Sequence, residues 1–243
     1  MNSLAVRLAS FLSACLILLT AFHVMATVSA DDSIENNNIV IEDTVLKRLT
    51  VSNERASHPS SIVVNNTIHL AWIDGVQDDM TLRWKCSENN GSSYSSDLTL
   101  TPSFEIITDV SIDGDGDSIV IVFCGIYNGT KGTYIVSSYD GGDTWSQASY
   151  LSNGTEADVL VRDDTAFISL FRSVNETEMF YIIRGNVPSA SSSSSSALES
   201  CAAIMAMSVP QSKVEMLYDD AIHFSLIVDE SVVLGSVDEN GTI

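Results

Sequence analysis

Short apolar segments alternate with polar turns along most of this chain. Ser61-Ile62-Val63-Val64 runs through Asn65-Asn66 into Ile68-His69-Leu70-Ala71-Trp72. Asp109-Val110-Ser111-Ile112 crosses an Asp/Gly turn into Ile119-Val120-Ile121-Val122-Phe123. Asp158-Val159-Leu160-Val161 passes Arg162-Asp163-Asp164 into Ala166-Phe167-Ile168-Ser169-Leu170-Phe171. Phe224-Ser225-Leu226-Ile227 passes Asp229-Glu230 into Val232-Val233-Leu234. β-Branched runs around Asn, Asp or Gly turns predict β-hairpins. Beyond residue 30 no segment keeps a helical period; the best helix candidate, Ala197–Ser208, is weak. The pattern predicts an all-β chain.

The hairpins recur. Trp72 to Phe123 spans 51 residues and Phe123 to Phe171 spans 48. The next interval is longer and holds six consecutive serines, Ser191 to Ser196, a composition that buries no apolar surface and predicts a flexible loop over 189–200. A period of about 40–50 residues with four strands each is what propeller blades require. The expected fold is therefore an all-β propeller.

Two of the repeats carry a patterned turn after a third strand. In the second repeat, Thr133-Tyr134-Ile135-Val136 precedes Ser138-Tyr139-Asp140-Gly141-Gly142-Asp143-Thr144-Trp145. The first repeat has a looser copy, Ser87-Glu88-Asn89-Asn90-Gly91-Ser92-Ser93-Tyr94. Ser87 to Ser138 is again 51 residues, the offset of Trp72 to Phe123. These turns resemble the Asp-box, Ser-x-Asp-x-Gly-x-Thr-Trp, of the sialidase-like, BNR-repeat superfamily of β-propellers. The likeness covers about residues 43–243. The motif's chemistry is structural: Asp140 and Asn89 accept N–H bonds inside the turn, Gly142 and Gly91 supply a conformation that a Cβ opposes, Ser138, Ser87 and Thr144 tie the turn ends, and Trp145 and Tyr94 bury a ring between the third and fourth strands. The third repeat departs from the pattern at Arg184-Gly185-Asn186-Val187-Pro188, and the fourth is expected to reach Ile243 after two strands. Sialidase propellers commonly have six blades; about 213 residues beyond a leader make roughly four. The expectation is a small, incomplete or truncated propeller of sialidase-like type.

The N-terminus carries one charge, Arg7, before an apolar stretch from Leu8 to about Val28, then Val28-Ser29-Ala30 and Asp31-Asp32. This predicts a signal peptide over 1–30 and an N-terminal extension over 31–42, ahead of a propeller domain over 43–243. The rival reading is an uncleaved anchor at the outer face of a membrane. The expected location is secreted or extracytoplasmic. Three cysteines remain after the leader, Cys86, Cys124 and Cys201, so they cannot all pair internally. Sequons at Asn65, Asn90, Asn128, Asn153, Asn175 and Asn240 are candidate glycosylation sites beside turns. With 32 acidic and 11 basic residues the net charge is −21, a field that repels nucleic acid and anionic membranes.

The superfamily includes sialidases, other glycoside hydrolases, lectin-like modules and receptor domains, so the resemblance carries fold further than activity. Its sialidases clamp a carboxylate with three arginines, the first in an Arg-Ile-Pro sequence; here that region reads Val45-Leu46-Lys47-Arg48-Leu49-Thr50. Candidate catalytic carboxylates are instead Asp109, Asp158 and Glu156, expected where innermost strands begin, with Asp109 and Asp158 read as equivalent positions able to work on a glycosidic bond. His58, Ser61 and His223 are candidate binding residues on the same argument. Trp84 and Tyr127 are read first as core packing, with stacking on a sugar as the second role. No cofactor or metal is expected; the second reading of Asp113-Gly114-Asp115-Gly116-Asp117 is the start of a calcium loop, otherwise a hairpin turn. The leading expectation is a non-catalytic module binding a glycan or protein ligand outside the cytoplasm. The alternatives are a sialidase-like glycoside hydrolase and a structural partner in a cell-surface assembly, with self-association if the propeller is open.

Overall fold

The computed structural model describes residues 39–41, 44–46, 48–50, 55–188, 197–208, 215–218, 221–228 and 231–238. The expected leader, the serine run and Asn240 lie outside the described residues. The chain divides into two compact units, Met1–Leu49 and Thr50–Ile243. In the first, β1 (Ile39–Ile41) pairs antiparallel with β2 (Thr44–Leu46).

The described part of the second unit is all β, in four antiparallel meanders, each a blade of a β-propeller. Blade one is β3 (Ser57–Val64), β4 (Thr67–Val76), β5 (Asp79–Ser87) and β6 (Leu98–Thr99). Blade two is β7 (Ile106–Asp115), β8 (Ser118–Tyr127), β9 (Thr130–Ser138) and β10 (Ser149–Ser152). Blade three is β11 (Thr155–Arg162), β12 (Thr165–Val174), β13 (Thr177–Asn186) and β14 (Glu199–Ser208). Blade four is β15 (Glu215–Tyr218), β16 (Ile222–Val228) and β17 (Ser231–Val237).

Local chemistry closes the hairpins. Asn65-Asn66, Asn128-Gly129, Asp163-Asp164 and Asn175-Glu176 all have both turn residues at positive φ. That pair of left-handed residues matches the twist of two-residue hairpins, and Asn, Asp and Gly adopt it with the least strain.

The second strands of blades one, two and three are buried on both faces over most of their length, which is why they read as continuous apolar runs rather than alternating ones. In β8, Ile119, Ile121 and Phe123 pack toward Ala71, Ile73 and Leu82 of blade one, while Val120, Val122 and Cys124 pack toward Val159, Val161 and Ile168 of blade three. A third cluster joins Phe167, Phe171 and Phe180 of blade three to Ile222 and Phe224 of blade four. Each buried Ile, Val or Phe contributes about 1.5–3 kcal/mol, so the blades are held mainly through these three layers.

Two sequence expectations change. Glu199–Ser208 is β14, not a helix: it pairs with β13 from Asn186↔Glu199 to Met179↔Ser208 and covers an edge that would otherwise lie open. The serine-rich loop therefore ends before Glu199. Blade four has three strands among the described residues, and its sequence hairpin lies one strand further out than expected. Its innermost strand is β15, and Phe224 to Leu234 belongs to the second and third strands. An Asp-Glu turn closes either hairpin equally well, so local pattern left the phase open. Trp84 is buried, and Tyr127 is half-buried against Phe104, in agreement with the core-packing reading of both rings.

Candidate functional site

The Ser138–Trp145 turn is closed by its own side chains. The Ser138 hydroxyl donates to Asp140 Oδ1 (2.8 Å) and accepts from Gly142 N (2.9 Å). Asp140 accepts from Thr144 N (2.8 Å) and from the Thr144 hydroxyl (2.5 Å). Burial pushes the Asp140 carboxyl up, but these bonds from Thr144 and Ser138 prevail and hold it below its ordinary value. The looser copy repeats the pattern: Ser87 Oγ donates to Asn89 Oδ1 (3.0 Å), Gly91 N to Ser87 Oγ (2.9 Å) and Ser93 N to Asn89 Oδ1 (2.8 Å). Asn89 Nδ2 donates to Ser93 Oγ (2.7 Å), reversing the polarity that Asp140 imposes on Thr144. The Trp145 ring packs on a cluster that joins Val136 of its own blade to residues of blade one. It packs edge-on against Trp84 of blade one, with centroids 5.3 Å apart, and its Nε1 donates to Gly142 O (3.0 Å).

A separate pocket of about 600 Å³ lies where the innermost strands begin. β3 supplies His58, Pro59 and Ser60; β7 supplies Thr108, Asp109, Val110 and Ser111; β11 supplies Glu156, Ala157 and Asp158. The strands bulge as they enter it. The ladder shifts between Ser57 and Ser60, between Ile107 and Asp109, and between Thr155 and Asp158. His58 and Glu156 occupy matching bulges at φ 50° and 52°, a conformation costly for residues with a Cβ. A bulge re-aims the chain, which is why Ser60 rather than the expected Ser61 lines the pocket. His223 is exposed on β16 and is not among the lining residues, because that strand is second in its blade.

Asp109 and Asp158 are both in the pocket but are not equivalent. Asp158 pairs with Ser169, and the matching residue of blade two, opposite Val122, is Ser111. This position forms a repeated joint between blades. Ser60 Oγ accepts from Ile112 N (3.3 Å), Ser111 Oγ from Val159 N (3.4 Å) and Asp158 Oδ2 from Met216 N (3.2 Å). Asp158 Oδ1 also accepts from the Ser111 hydroxyl (2.5 Å). Burial pushes the Asp158 carboxyl above its ordinary range, against the pull of its hydrogen bonds. Asp109 Oδ1 accepts from Val110 N (3.1 Å).

The Asp/Gly stretch extends the joint between blades two and three. Asp113 and Asp115 belong to β7 rather than to a turn. Asp113 Oδ2 accepts from Val161 N (2.7 Å) and Asp115 Oδ2 from Asp163 N (3.1 Å). With Ser111, these side chains at every second residue satisfy alternate N–H groups along the free edge of β11. Sequence reasoning did not find this comb, although polar residues at alternate positions of an otherwise buried strand were its signal. Among the described residues no group of three or more His, Cys, Asp or Glu is arranged to hold a metal ion. Of the sequons, Asn65, Asn90, Asn128, Asn153 and Asn175 are all exposed, and Asn65 Nδ2 donates to Gly116 O (2.8 Å) in the next blade. Cys86, Cys124 and Cys201 carry free thiols.

No protein-family model matches the chain, and a search of curated proteins finds no match. Solved structures do resemble it. Zg3597, a family 117 glycoside hydrolase of the marine bacterium Zobellia galactanivorans, has a TM-score of 0.51 and 10% identity over 82% of this chain and 72% of that one. A β-1,2-mannobiose phosphorylase from Listeria innocua has a TM-score of 0.45 and 9% identity, over 80% and 76%. The intramolecular trans-sialidase of Ruminococcus gnavus has a TM-score of 0.46 and 14% identity, over 74% and 43%. At these identities the likeness to Zg3597 speaks for fold alone, and the lower-scoring pairs add no argument.

Proposed function

We propose that this chain is an exported, Asp-box propeller module that binds a glycan in the pocket formed by its innermost strands. The observation that carries the reading is the convergence of His58, Asp109 and Glu156, with the Ser60 and Ser111 hydroxyls, on one cavity of about 600 Å³. A concave site with a few convergent polar groups suits a ligand rich in hydroxyls. None of the residues lining it is Lys or Arg. A carboxylated sugar would therefore meet carboxylates rather than the bidentate guanidinium that such a group needs, which weighs against sialidase action. The Asp-box reading is supported by the two turns sharing one hydrogen-bond pattern, and export by the apolar leader and the exposed sequons.

The rival reading is a glycoside hydrolase, and one observation favours it: Glu156 is held in a strained bulge on the cavity that Asp109 also lines. Its acid/base pair would be Asp109 and Glu156, because Asp158 already commits both oxygens to Ser111 and Met216. A glycan array and a panel of fluorogenic glycosides separate the two. The binding reading expects array signal that Asp109→Ala lowers at least tenfold, without turnover. Turnover abolished by Glu156→Gln would replace it with the hydrolase. No signal in either assay would refute both and leave the structural-partner reading.

A further inference from the structure

The central pocket has a neighbour. A second cavity of about 220 Å³ lies between blades two and three, and Thr108 lines both spaces. Its walls include Cys124 and Ile126 of β8, Lys131 of β9 and Thr155 at the start of β11. The two spaces are also electrically close. Burial, aided by the charges of Asp109 and Glu156, pushes the Cys124 thiol up to about 11, so those central carboxylates act on the wall of the side cavity. The wall beside Lys131 is held to bare backbone: a Cβ on Gly132 would lie 2.3 Å from the Ser152 carbonyl oxygen.

Lys131 is the one Lys or Arg lining either cavity, and it has no ion pair among the described residues. In a chain of net charge −21 an ammonium without a carboxylate partner is conspicuous. Its three donors suit the oxygens of a ligand that has already satisfied its other end among acceptors. The central pocket supplies those acceptors in Asp109 and Glu156, and contiguity through Thr108 lets one ligand reach both.

We infer that the side cavity is a second sugar subsite, so that the ligand is an oligosaccharide of at least two units. One unit lies in the central pocket and its neighbour lies past Thr108, with Lys131 donating to its oxygens. This rests on the glycan-binding reading. The test uses the full chain on an array printed with matched series of mono- to tetrasaccharides, followed by calorimetry on the strongest series. Disaccharides are expected to bind at least tenfold more tightly than the matching monosaccharides. Lys131→Ala, a change at an exposed residue, is expected to cost disaccharides about tenfold, the size of one charge-assisted hydrogen bond, and to leave monosaccharides within about twofold. Ile126→Trp, which fills the cavity, should do the same, with its melting curve checked against the parent. Equal affinity for one and two units, or a disaccharide preference untouched by Lys131→Ala, overturns the second subsite while leaving glycan binding intact. Absence of signal from every printed sugar overturns both.

Discussion

The comb between blades two and three makes a quantitative prediction at Asp113. Its Oδ2 is 2.7 Å from Val161 N and 3.6 Å from Arg162 Nη1. Val161 is fully buried, so no water replaces a lost acceptor. Asp113→Ala leaves that N–H unpaired, at a cost of about 1–3 kcal/mol. A loss of roughly 2 kcal/mol in a unit of this size lowers Tm by about 4–8 °C. Asp113→Asn keeps an acceptor and removes a buried charge, so it should cost under about 1 kcal/mol. Asp115, which faces an N–H of the exposed Asp163, provides the contrast: Asp115→Ala should stay within about 0.5 kcal/mol. The pH dependence has a definite sign. Burial pushes the Asp113 carboxyl up, against its bonds from Val161 and Gly114 and the charge of Arg162. A carboxyl raised in the folded state contributes stability at low pH that is lost as pH rises through its folded value. The parent should therefore gain on Asp113→Asn between pH 7 and pH 4. Calorimetric melts at both pH values measure this. Asp113→Ala melting with the parent, or Asp113→Asn falling as far as Asp113→Ala, would refute the comb.

Two further outcomes concern the Ser138–Trp145 turn. Asp140→Asn should lose only part of the stability that Asp140→Ala loses at pH 7, because Asn89 already closes the equivalent turn, whereas Asp140→Ala removes three accepted bonds and should cost about 1–3 kcal/mol by denaturant melts. Because the Asp140 carboxyl is held below its ordinary value, its contribution is present above about pH 4 and fades in more acid solution, so parent and Asp140→Asn should converge there. Gly142→Ala combines φ 98° with a Cβ 2.6 Å from the Trp84 ring, and should cost about 2–4 kcal/mol, with a change in near-UV circular dichroism from the Trp84–Trp145 pair.

Features that short stretches of chain decide were legible in the order of amino acids. Hairpin turns need left-handed residues within two positions, so Asn65-Asn66 and Asp163-Asp164 could be recognised as turns. The serine-to-tryptophan turn closes within eight residues, so its partners follow from the motif alone, and its 51-residue offset announced the blades. What depended on distant chain was not legible. The partners of Ser111, Asp113 and Asp115 lie 48 residues away on β11 and in the turn after it, and nothing local distinguishes a carboxylate that caps a neighbour's N–H from one that lines a turn. Asp109 stands two residues before Ser111, the residue in register with Asp158, and only the pairing of each strand with its neighbour reveals that offset. The phase of blade four likewise awaited its contact with blade three, through Met216 and Asp158. Trp145 found its ring partner in blade one for the same reason: packing between blades is a property of surfaces that only the folded chain brings together.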